Sequence, residues 1–171
     1  MNLAVGFNPR KRWPRGSSSR SDDRMANTFS NLFHHFVFST KGRVDLIHPD
    51  IEDRVWAYIG GIARQHDLTA VQVGGIENHL HVCTMSKPIH SPAQIAQWLK
   101  GDSSKWMNET FGKFGWQDGY GVFSVSKSNV PSVVEYIKNQ REHHLRHTFE
   151  DEYVSLLRLH GVDYNERYLF D

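Results

Sequence analysis

What this 171-residue sequence has little of narrows its class. It holds one cysteine, Cys83, so an internal disulfide and a thiolate-rich zinc site are both excluded. Cys83 lies in the run Val82 to Met85 and reads as a buried structural thiol. No apolar stretch approaches the roughly 18 to 20 residues of a membrane span, and the first residues lack the apolar core of a secretory signal. Both absences point to a cytoplasmic protein. No GxxxxGK[ST] phosphate loop is present, which is consistent with chemistry that needs no nucleotide. Charge is also nearly balanced, at a formal net of +1. Residues 1–24 carry six basic and two acidic side chains, which leaves 14 basic and 17 acidic ones on residues 25–171. That distribution counts against a broad DNA-coating surface; a nucleic-acid partner would have to meet a local patch or a structured site.

The basic segment also differs in kind. Residues 7–24 are built from Pro, Gly, Ser and Arg with almost no periodic apolar content, so they cannot offset their own ordering entropy. A disordered basic tail is expected over residues 1–24. Met25 then opens a stretch that reads as a natural start, so the tail is expected to be a dispensable extension or a translation artefact. Residues 25–171 fit one domain, and a 39% hydrophobic content suffices for a core.

Periodicity orders the elements. Phe29 to Ser39 is dense in aromatic and β-branched residues and predicts a first strand. The segment from His48 to His66 has Pro49 near its start, early acids, and Ile51, Val55, Tyr58, Ile59 and Ile62 at helical spacing. Leu68 to Gly75 alternates and runs into Ile76 to Met85, a pair expected to form a hairpin turning at Gly74-Gly75. Ser91-Pro92 caps a second helix reaching Phe111, weakened at Gly101. A turn at residues 116–121 feeds a short strand over Val122 to Val125. A third helix is expected from Val130 to Phe149, and a final one from Thr148 to about His160. This is an α+β chain of ferredoxin-like βαββαβ order: an antiparallel sheet, helices on one face, and further C-terminal helices.

Two spacings carry chemistry. Residues two apart on a strand share a face, so His79 and His81 present two imidazoles to one metal ion. Residues four apart on a helix share a face, so Tyr136 and Gln140 offer a phenol and an amide oxygen together. Each pair alone has a bland counterpart, a polar strand face or an amphipathic helix edge. Together they suit phosphoryl transfer from a nucleic acid, with a tyrosine oxygen attacking phosphorus. Lys100, Ser103, Ser104 and Lys105 form a polar basic cluster suited to DNA phosphates or to a solvated helix face. His143 and His144 follow Gln140 within one turn and read as DNA contacts or orienting groups, or as exposed helix surface. Glu77 shares the predicted strand face of the histidines as an extra ligand. Of His34 and His35, at most one faces that side. Gly119 and Gly121 read as turn or hinge positions.

The segments LFHHFVFSTKGR, GGIENHLHV, KGDSSKWMNE, WQDGYGVFSVS and VVEYIKNQREHHLRHTFEDEY, in that order, make residues 26–168 closely similar to the single-tyrosine HUH transposases of small bacterial insertion sequences and repetitive-palindrome-associated relatives. The resemblance implies an enzyme that cleaves and rejoins single-stranded DNA through a 5′-phosphotyrosine and recognises hairpins at element ends. It implies Tyr136 as nucleophile, His79, His81 and Gln140 as ligands of Mg²⁺ or Mn²⁺, and a homodimer in which the tyrosine helix of one subunit can serve the other's site. A non-catalytic nucleic-acid-binding regulator derived from a transposase is the alternative; it would be expected to have lost part of this set.

Overall fold

The computed structural model describes residues 29–170. The expected tail at residues 1–24 and the start at Met25 lie outside the described residues. Strand β1 (Leu32–Ser39), helix α1 (Glu52–Gln65), β2 (Thr69–Ile76), β3 (His79–Ser86), α2 (Pro92–Phe111) and β4 (Gly121–Val125) follow the βαββαβ order. After them come α3 (Val130–Lys138), α4 (Gln140–His143) and α5 (Phe149–Leu159). The four strands pair antiparallel in the order β2-β3-β1-β4, so β1 and β3 are the central pair. No described helix is long and apolar enough to cross a membrane.

The alternation of β1 and β3 sorts the sheet into two faces. Phe36, Phe38, Leu80 and Val82 point one way and pack with Val55, Ile59 and Ile62 of α1 and Ile95 and Leu99 of α2. His35, Val37, His79 and His81 belong to the opposite face, where Val37 and Phe123 meet Phe149 and Leu157 of α5. As expected, α1 and α2 lie on one face; of the additional C-terminal helices, α3 packs on β2 and β3 and α5 contacts the second face. The site face is thus covered in part by helices, and a pocket lined by His35, Tyr136, His143 and Glu152 leads into it.

Three local details depart from the expected elements. The hairpin turns at Glu77-Asn78, and Gly74-Gly75 lie inside β2, because the chain needs close approach there more than a turn. A Cβ on Gly74 would sit 2.8 Å from the carbonyl oxygen of Ile137, so a bare α-carbon lets α3 settle on the sheet. The expected third helix is interrupted at Asn139 (φ −94°, ψ 17°), which separates α3 from the single turn of α4. Backbone bonds from Asn139 N to Glu135 O and from His143 N to Asn139 O bridge the interruption, so Tyr136 and Gln140 stay on one side. By contrast, α2 runs unbroken through the exposed Gly101. Its cap is the expected one, with Ser91 Oγ accepting from Gln94 N.

Candidate active site

His79 and His81 are both fully buried on β3. In the central register His81 pairs with Val37 and Gly74, so the missing side chain on β2 opens the space above it to α3. Nδ1 of His79 lies 2.8 Å from Oδ1 of Asn78, an atom that can only accept, so Nδ1 carries the proton and Nε2 a lone pair. That Nε2 faces Oε1 of Gln140 at 3.1 Å. His81 shares a proton between its Nδ1 and His35 Nε2, 3.0 Å apart, and its Nε2 has no hydrogen-bond partner among the described residues. Each imidazole therefore has its far nitrogen held by a neighbour, as metal-ligating histidines do.

A residue the sequence reading did not single out stands at the centre. Glu152 of α5 is 3% exposed. Its Oε1 accepts from the Tyr136 hydroxyl and, at 2.9 Å, from Gln140 Nε2. Oε2 lies 3.3 Å from Nε2 of His81, 3.4 Å from that of His79 and 3.3 Å from that of His144, and has no assigned hydrogen bond among the described residues. A signal for it was legible: Phe149, Glu152, Tyr153 and Leu156 fall at helical spacing, so an acid sits within the apolar stripe of α5.

Burial lowers the His79 pKa from 6.5 to about 3, with His81 adding to the effect, so His79 is neutral and able to donate its lone pair. His35 is held near 3 by burial and by His81. Burial works against the Glu152 charge, but His81 and His144 outweigh it and hold the carboxyl well below its ordinary range. His144 moves the other way: burial lowers it, but the Glu152 carboxylate 3.3 Å away and the contact with the His147 carbonyl raise it above the ordinary value. Burial and the Glu152 carboxylate push the Tyr136 phenol far above its ordinary value, so it is protonated. The resting site is a neutral phenol bonded to a carboxylate among imidazoles.

The other expected residues divide. His144 is at the site, with Nε2 3.1 Å from Gln140 Oε1. His143 is half-buried, its ring 5.5 Å from that of Tyr136. Glu77 is not a strand neighbour of the histidines: it sits in the turn and pairs with Arg141 at 2.8 Å. Lys100 points to the loop before β4, where its ammonium donates to the carbonyls of Gln117, Asp118 and Gly119 at 2.6, 2.7 and 3.0 Å. Ser103 is buried, donates to Leu99 O and accepts from Trp116 Nε1 at 2.9 Å. These two are committed to the fold, because each lies on a side of α2 facing protein. Ser104 is partly exposed and Lys105 exposed. His35 faces the site, whereas His34 lies 3.3 Å from Ser86 Oγ. Gly121 opens β4 and leaves room for the Tyr153 ring, 3.0 Å from where a Cβ would be.

The profile of the family described as "Transposase IS200 like" matches residues 28–140, from before β1 to the site glutamine. The chain belongs to this family. A curated relative, the transposase for insertion sequence element IS200 of Salmonella typhimurium, is 28% identical over 126 residues, covering 69% of this chain and 82% of its own. Among solved structures, a candidate transposase from Deinococcus radiodurans R1 superposes with a TM-score of 0.56 at 24% identity, over 70% of this chain and 98% of that one. A REP-associated tyrosine transposase bound to a REP hairpin superposes at 0.54 with 10% identity, over 72% and 74%. Both likenesses are of fold. Within this transposase family, the convergence of nitrogen and oxygen atoms fits a divalent metal: His79, His144 and Glu152 offer ligand atoms all within 4.8 Å of one another.

Proposed function

We propose that this transposase cuts and rejoins single-stranded DNA through a 5′-phosphotyrosine intermediate, in the cytoplasm. The observation that carries this reading is the gathering of Tyr136, His79, His81 and Gln140 around one buried carboxylate. Oη of Tyr136 attacks a backbone phosphorus; the Oη–P bond forms, the P–O3′ bond breaks, and the departing oxygen takes up a proton as a 3′-OH. Oε1 of Glu152, already hydrogen-bonded to the phenol, is the nearest acceptor for the proton Tyr136 gives up. Attack of a 3′-OH on the phosphotyrosine reverses the step without ATP. His79, His81 and Gln140 would hold a divalent ion, Mg²⁺ or Mn²⁺, which supplies positive charge to the phosphate oxygens.

The structural neighbour bound to a REP hairpin supports a DNA hairpin as the partner, and the family resemblance suggests element ends as its place. Exposed Lys105, with Ser104 and His143, is the part of the expected DNA-binding set left at or near the surface. The family resemblance supports a homodimer with tyrosines acting in trans. One chain already gathers the full set, so exchange would require α3 to leave its seat over Gly74 and dock alike on a partner.

Labelled single-stranded DNA carrying a flanking hairpin, incubated with Mn²⁺ and run under denaturing conditions, tests the reaction. A covalent adduct lost in Tyr136→Phe is expected; cleavage that survives the substitution sinks the tyrosine assignment. His79→Ala should stop cleavage while hairpin binding persists. Mixing the two variants should restore cleavage only if the tyrosine acts across a dimer.

A further inference from the structure

We infer that Glu152 is a metal ligand through Oε2 and the anchor of the nucleophile through Oε1, so that one carboxylate from α5 couples metal and tyrosine. This rests on the strand-transfer reading and deepens it. Residue 152 lies beyond the stretch matched by the family profile, which ends at Gln140.

The two oxygens are unequally employed. Oε1 accepts from Tyr136 and Gln140, while Oε2 is buried and has no hydrogen bond among the described residues. Oε2 lies 3.3 Å from Nε2 of His81 and of His144 and 3.4 Å from that of His79, and Oε1 of Gln140 lies 3.1 Å from Nε2 of His79. The lone pair of His79 Nε2, the amide oxygen of Gln140 and the Glu152 carboxylate face one another, an arrangement that a cation among them relieves. Ligand bonds of about 2.1 Å place neighbouring ligand atoms roughly 3.0 to 3.4 Å apart, so this spacing suits one cation. The charge balance agrees. Imidazole and amide ligands bring no charge of their own, and a dication in a buried pocket is costly without an anion; Glu152 is the carboxylate within reach.

The coupling is directly readable. Mn²⁺ affinity, measured by calorimetry on the full chain, should fall roughly ten-fold or more in Glu152→Gln and more steeply in His79→Ala. Adding Mn²⁺ to the wild-type protein should give a tyrosine difference spectrum in the near ultraviolet, absent from Tyr136→Phe and from Glu152→Gln. Wild-type affinity in Glu152→Gln, with His79→Ala still weak, overturns the inference and leaves strand transfer standing. Wild-type affinity in His79→Ala removes the metal reading itself. Crystals of the wild-type protein soaked in Mn²⁺ make the test independent of variant folding: anomalous density bonded to Oε2 supports the inference, and density held by His79, His81 and Gln140 with Oε2 out of bonding reach overturns it.

Discussion

The two faces of the central strands are built from alternating residues of the same segments, yet they solve opposite problems. Toward α1 and α2, Phe36, Phe38, Leu80 and Val82 are buried in a cluster of apolar side chains. Toward α3 and α5, His35, His79 and His81 are equally buried, but against Tyr136, Gln140, His144 and Glu152, with polar atoms left unpaired. Burial therefore does not distinguish the faces; what is buried does. The apolar face gains free energy from lost water contact. The other face keeps unsatisfied donors and acceptors aimed at one point, which suits a reactive site and is tolerated because the first face stabilises the fold.

That division can be broken in stages. Phe36→Ala should have the largest effect on stability, about 3 to 5 kcal/mol in urea unfolding, and should reduce DNA binding and cleavage together. Gly74→Ala comes next, at about 1 to 3 kcal/mol, because its Cβ meets backbone of α3 rather than a movable side chain. Its adduct yield should fall further than its stability, since α3 carries Tyr136; equal losses would mean that Gly74 does not position the tyrosine.

The third test is pH. His79 is depressed on folding from 6.5 to about 3, so the unfolded state binds its proton first. Its contribution is fully present above about pH 6.5 and is lost as pH falls toward 3; Glu152, also depressed, adds to the loss in the more acidic part of that range. Unfolding free energy should be lower at pH 5 than at pH 7, and His79→Phe should flatten the slope between them; a slope unchanged in that variant would place the titrating groups elsewhere. The smallest effect should come from exposed Lys105→Ala, within about 0.5 kcal/mol, whereas Lys100→Ala should cost more because three carbonyls lose their donor. Equal melting temperatures for the two variants would contradict that contrast.

Much of the fold was legible because strand alternation and helical spacing are local properties. β1, α1, α2 and α5 lie near where apolar spacing and caps put them, down to Thr148 Oγ1 accepting from Asp151 N. The hairpin turn was misplaced by a pair of glycines whose use is close packing against α3, a contact no local pattern contains. The interruption at Asn139 was likewise hidden, since Tyr136 and Gln140 keep their common side across it. The basic cluster on α2 was divided by facts outside the helix: the loop carbonyls before β4 and the indole of Trp116.

From the sequence alone came the pairings within single elements: His79 with His81, Tyr136 with Gln140, and the family to which those spacings belong. Tertiary structure alone decided how the pairs meet. It brought His35 behind His81 and set Glu152 among the imidazoles, from a helix position 71 residues beyond His81 in the chain. The reason is physical: periodicity determines which face a side chain joins, but the distance between faces is set by packing, here by an α-carbon without a side chain at Gly74 and an acid inside the apolar stripe of α5.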